Sequence, residues 1–308
     1  MLTASDVQGP AARYNVPLAR YTTWGVGGNA EVFFTPCGQD ELSEAVVRAR
    51  ENSVDFFVLG GGSNVLIADG VIKTPVILTR GMSGIVVQVF GDEVFLDCFA
   101  GTPLKKVISL CVRNGWSGLE YAAGIPGTVG GAVAGNAGTS SGYIGQAVLR
   151  IVTVEADGSV MEWSGHEIDW AYRSCPLFEG NGRIACNVTF ALRVSEKKSI
   201  AETMKLVIEE RKTQPISSRT AGCVFKNPPG DSAGRLLDAS GCKGMTVGGA
   251  RVSEMHANFI ENYENCKALD ILYLAASCRR RVRETFGTAL DFEIKTLGIP
   301  EEAADAKN

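Results

Sequence analysis

Histidine is nearly absent: His166 and His256 are the only two in 308 residues. Zinc sites need closely spaced nitrogen and sulfur ligands. The nine cysteines, at 37, 98, 111, 175, 186, 223, 242, 266 and 278, include no Cys-x-x-Cys pair. A structural zinc is therefore not expected, nor is any other metal. Long basic runs are also missing, and the net charge is only -4. Arg279, Arg280, Arg281 and Arg283 cluster, but on what reads as one solvated helix face, so nucleic acid is not an expected partner. No apolar signal segment opens the chain, and an odd set of scattered cysteines is no disulfide framework. Free thiols in a reducing cytoplasm are the expectation. Residues 121–149 carry no charge and are long enough to span a bilayer, yet they hold eight glycines with Asn, Ser, Thr, Gln and Pro. That is too polar for hydrocarbon, and no membrane association is expected. What remains, 45% hydrophobic and 21% charged, is an ordinary globular composition with room for two or three domains.

Periodicity outlines an α/β beginning. Residues 40–52 place Leu42, Ala45, Val46 and Ala49 on one helical face, a strand at 54–59 runs into glycines, and VIKTPVILTR reads as another strand. From Gly84 the pattern turns to hairpins. One is expected around Gly91-Asp92 and a second around Asp157-Gly158, with a further strand at 183–194. Between the hairpins, Thr102 is placed to cap a helix with Pro103 at its first position and Gly115 stopping it. The polar SEKKS segment at 195–199 marks a boundary. Beyond it the pattern gives helices at 200–212, 233–239 and 265–286, strands at 249–262 and a closing strand at 290–297. The tail after residue 298 lacks apolar anchors and is expected to fray.

Glycine is what this chain has in excess. GGGSN (Gly60, Gly61, Gly62, Ser63, Asn64) leaves the end of a buried strand, and GIPGTVGGAVAGNAG (124–138) spaces its glycines at three, three, one, four and three. Such loops allow close backbone approach, so that successive N–H groups converge on an anion, and Pro126 is placed to start a helix facing a phosphate. Either cluster alone reads equally as tight turns. Neither is the GxGxxG-plus-acid grip of a dinucleotide fold, but together they point to a pyrophosphate cofactor.

Several segments carry a resemblance: YTTWGVGGNA (21–30), VLGGGSNVLI (58–67), SGLEYAAGIPGTVGGAVAGNAG (117–138), AYRSCPLF (171–178), AGCVFKNPPGDSAGRLLD (221–238), HANFIEN (256–262) and FEIKTLG (292–298). In this order they resemble the UDP-N-acetylenolpyruvoylglucosamine reductase family, in its shorter (type II) form. The resemblance implies an α+β protein. It would have a two-part FAD-binding domain of the vanillyl-alcohol oxidase kind, with subdomains at 1–82 and 83–197. A smaller α+β substrate-binding domain would follow at 198–298, before the tail at 299–308. Gly60, Gly61, Gly62, Ser63, Asn64, Gly124, Gly127, Thr128 and Gly131 would hold FAD. The first 165 residues offer no histidine for a link through imidazole, so FAD is expected to be noncovalent. NADPH would be the co-substrate.

The implied reaction turns an enolpyruvyl ether of a UDP-sugar into a lactyl ether, leaving enolate charge beside a carboxylate. Such a site needs a cation or donor at the carboxylate and a proton source at carbon. By resemblance Arg173 meets the carboxylate, Glu293 stabilises the enolate, and Lys226, Asn227 and His256 contact the substrate. On residue type alone each reads as well otherwise: a loop ion pair, a solvated strand acid, a turn before Pro228, a histidine without a partner acid. Cys223 stands where the family pattern AGSxFKNP has a proton-donating serine, and in a nine-cysteine chain it reads equally as an inert thiol. A cysteine hydrolase pairing Cys223 with His256, a flavin protein without catalysis, and an oxidase of another small acid are the rival readings. The expected molecule is a cytoplasmic monomer acting on a small-molecule substrate.

Overall fold

The computed structural model describes residues 12–51, 55–215 and 218–299. They form two compact units, each drawn from separated stretches of chain. The first takes the segment ending at Tyr14, Val32–Gly61 and Thr74–Glu210; the second takes Asn15–Glu31, Gly62–Lys73 and the chain from Arg211 onward.

In the first unit a six-stranded antiparallel sheet runs Val160–Ser164, Val148–Val154, Ile184–Val194, Glu93–Phe99, Ile85–Phe90, with Trp116–Ser117 on the end of the long third strand. Glu93–Phe99 alternates in burial residue by residue. Its Val94, Leu96 and Cys98 face a core shared with helix α2 (Leu104–Asn114) and the short helix α3 (Val129–Ala134). A smaller parallel sheet pairs Phe33 and Phe34 with Val76 and Ile77, and Phe57–Leu59 with Val76–Leu78. Helix α1 (Gln39–Glu51) seats Leu42, Ala45 and Val46 in a second core with Phe34 and Ile77.

Both expected hairpins form, with Phe90 opposite Glu93 and Val154 opposite Val160. Gly115 stops α2 in the left-handed conformation at φ +76°. Other local expectations shift. Thr102 does not cap α2: its Oγ1 donates to Gly84 O at 2.8 Å and accepts from Gly84 N at 3.0 Å, and extended Pro103 takes the cap position. Pro126 does not open α3 either; Thr128 does, its Oγ1 accepting from Gly131 N. The strand expected at 54–59 is seen as Phe57–Leu59, and residue 54 lies outside the described residues.

Helix α4 (Lys197–Arg211) begins at the boundary that the polar segment marks, but Ile200 and Val207 are buried and Met204 packs on the first unit's sheet core. The units therefore part at the C-terminal end of α4, between Glu210 and Arg211, and not near 197.

In the second unit helices α5 (Ala233–Ala239) and α6 (Ala268–Phe286) share a core with Trp24, Val26, Leu66, Val224 and Phe225. A three-stranded antiparallel sheet links Thr246–Val247, Ala250–Val252 and Ile260–Asn262. Two parallel pairings are long-range: Lys295–Leu297 with Val65–Ile67, and Asn29 and Ala30 with Val71 and Ile72. The stretch VIKTPVILTR is accordingly two strands, one in each unit. The closing strand is shorter than expected: ahead of Lys295 the chain forms an isolated bridge between Phe292 and Phe225 in place of a continuous ladder. The expected frayed tail, apart from Ile299, lies outside the described residues.

Candidate active site

In the first unit the two glycine loops meet. A Cβ on Gly61 would sit 2.5 Å from Gly127 Cα, and one on Gly60 2.6 Å from Thr128 Oγ1, so only glycine allows this approach. Arg80, in the turn after Val76–Leu78, donates from Nε to Gly60 O at 3.1 Å and from Nη2 to Gly61 O. A trans peptide points its N–H opposite its carbonyl, so Arg80 turns the N–H edge of this loop away from itself. Among the described residues, no backbone N–H of Gly60, Gly61, Gly124, Gly127 or Thr128 finds a protein acceptor. Such a donor set fits a diphosphate, which brings the acceptors these groups need. Tyr121, three residues before Gly124 in the chain, is buried with its hydroxyl lacking a partner among the described residues. Burial, and then the Glu120 charge, raise its pKa, so the phenol keeps its proton. Gly131 is different: its N–H is taken by Thr128 Oγ1 at 3.4 Å.

Arg173 occupies the tip of a tight turn closed by reciprocal bonds between Ala171 and Ser174. Its φ is +55°, a left-handed conformation that costs an L-residue roughly 1–2 kcal/mol. The surroundings hold it there. Nη1 donates to Gly138 O at 2.8 Å and the guanidinium lies 5.4 Å from the Tyr172 ring centroid. Behind the turn, buried Asn136 donates to Ala171 O at 2.8 Å and accepts from Gly145 N at 3.2 Å. Asn136 thus ties the glycine-rich run to the arginine turn. Neither Asn136 nor Arg80 is marked by the sequence. An asparagine between small residues and an arginine after a strand have no local signature; only the tertiary pairing reveals them.

In the second unit, residues 223–227 lie between two backbone segments. On one side Val224 N donates to Asn258 O at 2.9 Å, and Cys223 bridges to Phe259. On the other, Glu293 N donates to Val224 O at 2.8 Å and Lys226 N to Asp291 O at 2.8 Å. Half-buried Cys223 and half-buried Glu293 are thus brought to one short stretch of backbone. Phe225, in the same stretch, stacks on Phe292 with centroids 5.2 Å apart. Asn64, expected at the cofactor, spends its amide on the same stretch, donating to Glu293 O at 3.2 Å, while its own carbonyl accepts from Lys295 N. Gly62 O accepts from Thr23 N at 2.9 Å, and Ser63 follows it, half-buried.

Lys226 is half-buried and makes no ion pair among the described residues. Asn227 accepts from Ala233 N at 3.0 Å, so its side-chain oxygen braces the first turn of α5. His256 accepts at Nδ1 from Asn258 N at 3.2 Å and sits edge-on to Phe259. Burial, and then the nearby Lys243 charge, push its pKa below the usual imidazole value. It is a neutral ring with Nδ1 committed to a turn.

Comparison with known proteins covers both units. Residues 30–164 match the family model of an FAD binding domain, and residues 214–297 match that of the UDP-N-acetylenolpyruvoylglucosamine reductase C-terminal domain. The UDP-N-acetylenolpyruvoylglucosamine reductase of Moorella thermoacetica is 38% identical over 92% of this chain and 92% of its own length. That of Heliobacterium modesticaldum is 38% identical over 92% and 89%. The crystal structure of the Thermus caldophilus enzyme superposes with a TM-score of 0.76 at 37% identity, covering 93% of this chain and 98% of that one. With both halves matched in order, and a nest of free amides where the FAD-binding model falls, this chain belongs to the UDP-N-acetylenolpyruvoylglucosamine reductase family.

Proposed function

We propose that the chain is an FAD-dependent, NADPH-driven UDP-N-acetylmuramate dehydrogenase. It reduces the enolpyruvyl ether of UDP-N-acetylglucosamine to the lactyl ether of UDP-N-acetylmuramate, a step of peptidoglycan precursor synthesis. The observation that carries this reading is identity of 38% sustained across 92% of the chain, through both units. When bound, FAD would supply the redox chemistry that links NADPH oxidation to reduction of the enolpyruvyl group.

The chain's own residues do the rest. The amides of Gly60, Gly61, Gly124, Gly127 and Thr128 hold the cofactor diphosphate, with Gly62 and Ser63 continuing the loop. Arg173, fork-shaped and charged at every working pH, holds the substrate carboxylate as enolate charge spreads into it. Glu293 stabilises the enolate, and Cys223 gives its thiol proton to the carbon next to the carboxylate. Lys226 supplies a point charge for the substrate diphosphate. Asn227 acts by shaping the loop that carries Lys226, in keeping with its bond to Ala233 N. His256 contacts the substrate as a neutral group.

The small-molecule UDP-sugar is the partner. We further assign the chain to the cytoplasm, a reading supported by nine free thiols, and take it to act as a monomer. Among the described residues no helix is long and apolar enough to cross a membrane.

Anaerobic titration tests the function. NADPH should bleach the bound flavin, and the enolpyruvyl UDP-sugar should then restore its colour with formation of the lactyl ether. A protein that carries no flavin, or whose reduced flavin ignores that substrate, is not this enzyme.

A further inference from the structure

We propose that Asn258 is a positioning residue for the proton-transfer step, acting through Cys223. The proposal rests on the reading of Cys223 as the proton donor. Asn258 is buried, with 2% of its surface exposed. Its side-chain amide is wholly given to one neighbour: Nδ2 donates to Phe225 O at 2.8 Å and Oδ1 accepts from Phe225 N at 2.9 Å. Its own carbonyl accepts from Val224 N at 2.9 Å. One residue therefore satisfies three backbone groups, Val224 N, Phe225 N and Phe225 O, of the segment that follows Cys223. A primary amide paired with a peptide in this way imitates a β-ladder where no regular strand exists.

The clip has a defined reach. Val224 O, on the other side of the same peptides, accepts from Glu293 N at 2.8 Å. A shift of the strand at Phe225 moves Cys223 and the backbone of Glu293 relative to each other. The turn that presents Asn258 is itself set by His256, whose Nδ1 takes the Asn258 N–H at 3.2 Å. Proton delivery to carbon demands a fixed donor position, and misplacement by about 1 Å costs on the order of a hundredfold in rate. Asn258 touches neither substrate nor cofactor in this scheme. Its effect passes through the backbone to the thiol.

The test is a cycle of Asn258→Ala, Cys223→Ala and the double variant, each loaded with FAD. The two half-reactions are followed separately by stopped flow. Asn258→Ala should leave NADPH reduction of the flavin unchanged and slow substrate-driven reoxidation about a hundredfold. Asn258→Asp, which keeps the acceptor for Phe225 N and loses the donor to Phe225 O, should fall between Ala and the parent. It carries the same cycle should the alanine variant precipitate. In the Cys223→Ala background, either substitution should add little, because the group it positions is gone. Equal slowing of both half-reactions marks a purely structural residue and overturns the proposal. So does full additivity with Cys223→Ala. If Cys223→Ala alone turns over like the parent, the proton-donor reading fails first, and this proposal fails with it.

Discussion

Cys223 stands where the family pattern has serine, and the change has a chemical sense. A thiol has an ordinary pKa of about 8.5, far below that of an aliphatic alcohol, so it gives up a proton to an enolate carbon more readily. Its backbone is fastened on both sides, by Val224 N to Asn258 O and by Glu293 N to Val224 O. Cys223→Ser should keep substantial activity. Cys223→Ala should still allow NADPH to reduce FAD but slow product formation by about 10²–10⁴-fold, the usual worth of a general acid. Turnover of the alanine variant at the parental rate, with normal solvent deuterium uptake into the lactyl group, would make the thiol mere packing. His256 offers a pH test at the same scale. Its depressed folded pKa means that the unfolded chain binds the proton more readily. The stability it contributes is present above the ordinary value of 6.5 and is lost as pH falls below it. Urea midpoints should drop from about pH 7.5 to about pH 5.5 more steeply in the parent than in His256→Gln. Parallel curves for the two proteins would show that His256 titrates freely.

Elements with local signatures are legible in the sequence itself. The 3.6-residue spacing in α1, the glycine stop of α2 and both hairpin turns appear where chain-local sterics place them. The glycine loops are legible as loops, but their meeting is not. Nothing in GGGSN says that Gly61 lies against Gly127, because that contact is made by strands and helices folded between them. Likewise Arg80, which turns the loop's amides outward, carries no motif of its own. The consequence at this scale concerns Gly61. Gly61→Ala places a Cβ 2.5 Å from Gly127 Cα, where backbone and not a flexible side chain must give way. The loops should separate and the amide nest should open. We expect the purified variant to lose most of its flavin absorbance, and its melting temperature to respond less than the parent's to added FAD. Full flavin content with a parental melting temperature would place the cofactor elsewhere. Heat-precipitated parent protein should release FAD into the supernatant, as a noncovalent site requires.

The whole molecule departs most from a reading along the chain. The family resemblance implies contiguous domains at 1–82, 83–197 and 198–298, yet the second unit recruits Asn15–Glu31 and Gly62–Lys73 from the N-terminal part. The recruitment is physical and specific. Trp24 is fully buried in the second unit's core, its Nε1 donates to Ile260 O at 2.7 Å, and its carbonyl accepts from Asn262 Nδ2 at 2.8 Å. Leu66 joins the same core, and Val65–Ile67 pairs in parallel with Lys295–Leu297. Parallel pairing between strands at opposite ends of a chain leaves no periodic trace in either. It also governs what can be cut. The C-terminal family model begins at residue 214, which invites a flavin-binding fragment ending at Thr213. That fragment would carry Trp24, Val26 and Leu66 with no core to receive them. Exposing the indole alone forfeits roughly 4–6 kcal/mol of burial, comparable to the whole stability of many domains. We therefore expect the fragment to aggregate, or to remain monomeric only with weakened cooperativity and without tightly held FAD. Supplying residues 211–308 as a separate chain should restore soluble, yellow protein, since the missing strand and core return with it. A fragment ending at Thr213 that is soluble, cooperative on heating and stoichiometric in flavin would refute the interleaved assembly.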